Sequence, residues 1–330
     1  MNILIEFVLS LGAALLLTPM VRSLAISMKC FDHPCRRKVH VEPTPLLGGM
    51  AIYLSILAGW LASAEWLRHG KPWSFPAPVE MGTAAALMIV GLLDDCVNLR
   101  WWVKFVLQTG MAWLMFHCGV KVQLHWLPEW ANFLLTMFWI VGITNAINFL
   151  DNMNGLAAGL CAIAAGYFTL LGIWYEPPLV AGIAAAITGA SLGFLRYNYR
   201  RASIFMGDAG SLSLGLLLAA AGILLRFPGR ANWITWMTPV IILLVPVFDM
   251  TLVCFSRLRQ GRNPLATPGQ DHVSHRLVRL GLTRVQAVDS IYGVALFCGA
   301  IGTLVTVLPL IWAYVSLGIV LLLFVGGFAT

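Results

Sequence analysis

Asp94 and Asp95 stand side by side between two apolar runs, one ending at Leu93 and the next beginning at Val103. If both runs cross a bilayer, the pair lies at a membrane surface or just below it. Ionised groups near lipid are costly, and by default they mark a functional site. Adjacent carboxylates repel each other, so they invite a cation, either a metal ion or the nearby Lys104. A polar loop between two helices is the plain alternative for the pair taken alone.

Three further constellations have chemistry in them. The first runs from Asn145 through Asn148, Asp151, Asn152 and Asn154 to Gly155. Asn145, Asn148 and Asn152 recur at about one helical turn, with Asp151 on the same side if the helix persists. An amide oxygen is a hard ligand that suits Mg²⁺ beside a carboxylate, whereas amides that join helices by hydrogen bonds are the competing reading. The second is Gly207-Asp208-Ala209-Gly210-Ser211, directly before an apolar run. The N–H groups of that helix start would suit a phosphate, and Asp208 as a simple N-cap is the alternative. Upstream, Arg196 and Asn198 are placed to contact the same ligand. The third follows Arg257, Arg259 and Arg262 and reads Asp271-His272-Val273-Ser274-His275-Arg276. Its His-x-x-His spacing would suit zinc, but catalytic zinc wants a third protein ligand and none is apparent. Phosphate or sugar contacts from His272, His275 and Arg276 are therefore expected, with Asp249 as a structural partner. A fourth, plainer feature is the basic stretch Arg36, Arg37, Lys38 and His40, held between Pro34 and Pro43 ahead of Gly48-Gly49. It reads equally as a phosphate site and as a collar for anionic headgroups.

These residues need elements to hold them. The 330 residues are 59% hydrophobic and only 11% charged, whereas soluble domains carry about a quarter charged residues. The expected fold is an all-α polytopic integral membrane bundle, a single domain over 1–330. A spanning helix takes roughly 20 apolar residues, and lipid leaves no other open structure that satisfies the backbone. About ten or eleven spans are expected: 3–21, 47–64, 79–93, 103–119, 131–148, 156–174, 178–195, 211–226, 233–254, 290–308 and 310–328. The first is too long for a signal-peptide core and lacks a small-residue cleavage site, so it reads as a retained helix. The seven cysteines are scattered and give no disulfide framework. Cys30 and Cys35 share a polar loop but have no further metal ligands near them.

The loops after the odd-numbered spans carry 16 of the 21 Lys and Arg residues, against 5 on the other side. The positive-inside rule then puts those loops in the cytoplasm and the N-terminus outside. All the aspartates fall on the same inner side: Asp32, Asp94, Asp95, Asp151, Asp208, Asp249, Asp271 and Asp289. Short acids and arginines on one face suit a phosphate-rich, metal-bound substrate. A lipid or ion transporter would place polar groups near the midplane, and the span middles are nearly free of charge.

In this order the motifs resemble the polyprenyl-phosphate N-acetylhexosamine-1-phosphate transferases. The likeness rests on Asp94-Asp95 with Asn98 and Lys104, on Asn145-x-x-Asn148 with Asp151, on Gly207-Asp208-x-Gly210-Ser211 and on the late histidine loop. It covers nearly the whole chain and sets the active site on the cytoplasmic face. The resemblance implies transfer of a sugar phosphate from a UDP-N-acetylhexosamine, GlcNAc before others, to polyprenyl phosphate within the lipid, with release of UMP. It implies Mg²⁺, with Mn²⁺ as a substitute. Asn148 and Asp208 match metal-binding positions, Lys104 a lysine at the diphosphate and Asn98 a nucleotide-sugar contact. Asp94, Asp95 and Asp151 match catalytic acids, one of the pair taking the proton of the lipid phosphate. Asn145, Asn154, Asn198, His272, His275 and Arg276 are carried as substrate contacts. No nucleic acid is expected as a partner, and a homodimer is the assembly kept open. Two departures matter. Asn154 stands where bacterial members usually have a second acid, and it cannot act as a base. His272-Val273-Ser274-His275 stands where the phospho-MurNAc-pentapeptide translocases have three consecutive histidines, which argues against that donor and leaves the translocase as the alternative.

Overall fold

The computed structural model describes residues 3–32, 43–68, 77–175, 178–228, 232–264, 269–309, 311, 314–315 and 318. Cys35, the basic stretch Arg36, Arg37, Lys38 and His40, and nearly all of the expected last span, 310–328, lie outside the described residues.

The order of elements is α1 (Ile3–Ser27), β1 (Phe31–Asp32), β2 (Thr44–Pro45), α2 (Gly48–Arg68), α3 (Ala77–Val97), α4 (Trp101–His117), α5 (Glu129–Leu150), α6 (Leu156–Tyr175), α7 (Pro178–Asn198), α8 (Gly207–Leu224), α9 (Asn232–Ile242), α10 (Leu244–Arg259), α11 (Val273–Arg279) and α12 (Arg284–Val307). The all-α membrane bundle read from composition is what the chain forms. Among the described residues seven helices are long and apolar enough to cross a membrane, and the bent pair α9–α10 makes up to eight. The apolar part of α2, Gly48–Ala62, is shorter, and α4 has 17 residues.

Helix α8 is the axis of the molecule. Every residue from Ala209 to Ile223 is buried, and α2, α3, α5 and α6 pack around it. Its glycines, alanines and serines are what allow this, because small residues let backbones approach closely in a membrane. At Gly49 and Gly91 the approach is complete: a Cβ at Gly49 would overlap the Gly210 backbone, and one at Gly91 would overlap the Asp208–Ala209 backbone. Overpacking a close-packed core by a valine side chain costs about 3 kcal/mol. Gly91→Val is therefore expected to lose the monodisperse peak in fluorescence-detected size exclusion. A parental peak with a parental melting temperature would contradict so tight a crossing.

The start of α8 is also laced to the start of α2. The Phe205 N–H donates to the Pro45 carbonyl at 2.8 Å, the Gly48 N–H to Phe205 at 2.9 Å and the Gly49 N–H to Met206 at 2.8 Å. The short strands β1 and β2, paired antiparallel with Phe31 opposite Pro45, deliver the chain to this seam.

Two expectations need correction. The ninth span, expected unbroken over 233–254, bends by 72° between Ile242 and Leu244. Pro246 explains the break: it has no N–H to give the Ile242 carbonyl, and its ring crowds that carbonyl. The eighth span, expected to begin at 211, begins at Gly207, so Asp208 sits in the first helical turn and not in a loop. Within the late loop, α11 is a further helix that hydropathy did not mark.

Candidate active site

Three helix ends meet beside the first turn of α8. The last turn of α3 brings Asp94 and Asp95, the first turn of α4 brings Lys104, and the last turn of α5 brings Asn148, with Asp151 just beyond it. Lys104 Nζ donates to Asp94 Oδ2 and to Asp208 Oδ2, each at 2.8 Å. Asn148 Nδ2 donates to Asp208 Oδ1 and to Ser211 Oγ, each at 2.9 Å. That leaves the amide oxygen of Asn148 as the acceptor it can offer to a ligand. The aspartate pair divides in function. Asp94 accepts from the Leu99 N–H and from Lys104. Asp95 instead accepts the N–H groups of Asp208 at 2.9 Å and Ala209 at 3.4 Å.

The acid that caps α8 is thus Asp95, reaching across from α3. This bears on both readings of that helix start made from the sequence: Asp208 is not its own helix's cap, and two of the N–H groups expected to suit a phosphate, those of Asp208 and Ala209, are taken by Asp95. Gly207 has φ +68°, and a Cβ there would run into the Asp95 carboxylate, so glycine is required twice over.

Among the described residues, four carboxyl groups gather here and two of them, Asp94 and Asp208, share the ammonium of Lys104. Asp151, outside the spans, registers the shortage of positive charge. Burial first, then the charges of Asp208, Asp95 and Asp32, push its carboxyl up to about 8, against the opposing pull of the Gly207 N–H. Between the ordinary value of 3.8 and about 8 the folded chain therefore keeps a proton that the unfolded chain has released. Stability falls as pH rises through that window. In metal-free detergent solution the apparent melting temperature is expected to drop across it, and Asp151→Asn to flatten the slope. An unchanged slope in that variant would refute the assignment.

The same shortage bears on a divalent ion. The donors present are carboxylate and amide oxygens, the hard set that suits Mg²⁺ and not the sulfur and imidazole set of zinc. Among the described residues no three Asp, Glu, His or Cys side chains form a ready cage. Mg²⁺ characteristically takes only one or two carboxylates and fills the rest with waters and substrate phosphates, so the residues fit it.

A second ring holds these groups in place. Asn145 donates to Gln108 of α4 and to the Val141 carbonyl, one turn deeper than Asn148. Asn152 leaves the helical face expected of it, since α5 ends at Leu150; its side chain accepts from Ser274 at 2.7 Å. Asn198 is 3% exposed and spends both ends of its amide on backbone, accepting from the Gly155 N–H and donating to the Ile204 carbonyl, each at 2.8 Å. Asn154 donates to the Arg200 carbonyl at 3.2 Å and lines a small cleft with Tyr199, Arg200 and Arg284. Asn98, at φ +50°, is exposed on the turn after α3.

The late loop packs against the same end. His272 Nδ1 lies 2.7 Å from Asp249 Oδ2, and the Val273 N–H donates to the other oxygen of Asp249 at 2.7 Å. This is the structural partnership expected of Asp249. The His272 ring meets the edge of Phe149, and the Arg257 guanidinium lies over the Phe149 ring at 5.4 Å. Phe149 therefore ties the loop to the helix end that carries Asn148. His275 is half-buried, and burial, with His272 and Arg279 close by, holds its imidazole below the usual value. Arg276 donates to the Asp271 carbonyl.

Several of these supports were not read from the sequence. Gln108 had a signal, a polar residue one turn after Lys104 on the same face of an apolar helix. Tyr292 had none: its hydroxyl donates to the Gly155 carbonyl from α12, a purely tertiary contact.

Comparison with known proteins now adds to the geometry. The family model described as glycosyl transferase family 4 matches residues 78–226, the segment from α3 to the end of α8. The chain is 33% identical over 331 aligned positions to a probable undecaprenyl-phosphate N-acetylglucosaminyl 1-phosphate transferase of Bacillus subtilis, covering 98% of this chain and 90% of that one. The chain belongs to glycosyl transferase family 4. A second family 4 relative is the decaprenyl-phosphate N-acetylglucosaminephosphotransferase of Mycolicibacterium smegmatis, 34% identical over 83% of this chain and 75% of its own length. The phospho-N-acetylmuramoyl-pentapeptide-transferase of Bacillus anthracis is 32% identical over 67% of this chain and 74% of its own. The family 4 resemblance drawn from the motifs is borne out, and the chain is a multi-pass membrane protein.

Proposed function

We propose that this family 4 chain transfers N-acetylglucosamine 1-phosphate from the UDP-sugar to a polyprenyl phosphate, undecaprenyl phosphate before others, and so starts a lipid-linked envelope glycan. The observation that carries the reading is the meeting of Lys104, Asn148 and Asp208 with Asp94, Asp95 and Asp151 at one end of the bundle. The extent of the match supports the donor: likeness to the N-acetylglucosamine enzyme spans 98% of the chain, and likeness to the pentapeptide enzyme 67%. We place the site in the cytoplasm of the cell membrane on the distribution of basic residues.

In the reaction an oxygen of the lipid phosphate attacks the β-phosphorus of the donor. The bond from that phosphorus to the bridging oxygen breaks, and UMP leaves with the oxygen. Two anions must approach one another, so the site has to supply positive charge. Lys104 supplies one cation. Asp208 and the amide oxygen of Asn148 would hold Mg²⁺, which neutralises phosphate oxygens when bound. Asp94 lies beside Lys104 and is part-exposed, the position for a group that orients the lipid phosphate or takes its proton. Asp95 positions α8, since both its oxygens are committed to backbone. Asn98, Asn154, His275 and Arg276 are the contacts left for the donor, and His272, buried on Asp249, holds the late loop in place.

Release of UMP from a panel of UDP-sugars, with polyprenyl phosphate and Mg²⁺, tests the reading. UDP-GlcNAc is expected to be the best donor. Turnover of only the UDP-MurNAc-pentapeptide would turn the assignment over to the translocase, and no UMP from any donor would end it. A sugar phosphate trapped on the protein without lipid acceptor would replace direct attack with a covalent aspartyl route.

A further inference from the structure

Cys30 and Cys96 sit far apart in the chain, yet their sulfurs lie 3.8 Å apart. Cys30 follows α1 and is half-buried, while Cys96 is exposed in the last turn of α3. A disulfide needs its sulfurs at about 2.05 Å, so closure asks for a movement of about 2 Å. Cys30 has little freedom to provide it: its N–H donates to Ala25 and its carbonyl accepts from Leu46, the residue that leads into the seam between α2 and α8. Most of the movement falls to the end of α3. That end carries Asp94 on Lys104 and Asp95 on the N–H groups of α8.

We propose that Cys30 and Cys96 form a dithiol modification site, closed to a disulfide by low-molecular-weight disulfides, and that closure shifts Asp94 and Asp95 and shuts the reaction down. The exchange balances in two steps. The exposed Cys96 thiolate attacks a sulfur of the reagent, forms a mixed disulfide and releases one reagent thiolate. The Cys30 thiolate then attacks the Cys96 sulfur and releases the second, and the two thiolates take up the protons that the two cysteines lost. The chain is oxidised by two electrons and the reagent is reduced by two. Burial, with Cys96 and Asp95 alongside, pushes the Cys30 thiol up to about 11, which makes Cys96 the entry point and Cys30 the slower, resolving thiol.

Bond formation stands on the geometry alone, whereas its effect on UMP release rests on the function proposed above. The test treats the full chain in detergent with oxidised glutathione, blocks remaining thiols with N-ethylmaleimide, and reads both peptide masses and UMP release. The expected result is a Cys30–Cys96 cross-linked peptide, with UMP release down by about a hundredfold, the scale of an ångström of misplacement at an active site, and restored by dithiothreitol. Cys30→Ser should stop at the glutathione adduct on Cys96 and keep its activity. Glutathione on Cys96 with maleimide on Cys30 in the parent protein would overturn the site. A complete cross-link with undiminished UMP release would overturn the shutdown. If the untreated protein releases no UMP, the function fails while the masses still decide the bond.

Discussion

Replacing Asp208 with asparagine is expected to abolish UMP release, a loss of at least about a thousandfold, with the protein still folded in detergent. The carboxylate has two partners that each depend on its charge. Lys104 is held on one oxygen and the Asn148 amide on the other. Asparagine keeps the shape but offers one oxygen and one N–H₂, so one of these donors then faces another donor. The helix itself should survive, because the N–H groups of Asp208 and Ala209 are capped by Asp95 and not by Asp208. Steady-state UMP release beside a thermal melt separates the two. Activity within about tenfold of the parent would show that Asp208 is dispensable.

Lys104→Met should come next in size, with UMP release reduced about a hundredfold to a thousandfold. Methionine keeps much of the stem and deletes the cation that joins Asp94 to Asp208 at 2.8 Å on each side. The two carboxylates are then left to repel each other and the incoming phosphates. Lys104→Arg should recover little, because a planar guanidinium does not replace a compact point charge between two single oxygens. Stability should change less than in a fully buried pair, since all three side chains are part-exposed, 22% for Lys104, 13% for Asp94 and 24% for Asp208. A Lys104→Met protein with parental kcat and KM would remove this lysine from the reaction.

Much of this was legible in the sequence, and what was not has a physical cause. Spans read well because lipid imposes a length and an apolarity that show in any window: α5, α6 and α7 begin and end within a few residues of expectation. The clustering of the acids was legible because charge sidedness fixes which helix ends share a surface. Contacts between those ends were not. That Asp95, and not its neighbour, would cap α8 depends on how α3 crosses at Gly91, and no local pattern encodes a crossing. Pro246 did lie in plain view inside the ninth span, and the bend at Ile242 follows from its missing donor. The start of α8 was misplaced because glycines and an aspartate read as a loop when their hydrogen-bond partners come from other helices.

The enclosure of α8 from Ala209 to Ile223 has a consequence for how such an enzyme can change. Buried on every side over that stretch, this rod has little room to absorb a substitution, and Gly210 and Gly215 lie against the main chains of Gly49 and Thr144. On the function proposed above, engineering that seeks a new sugar would leave the rod untouched and vary the cleft lined by Asn154 and Arg200.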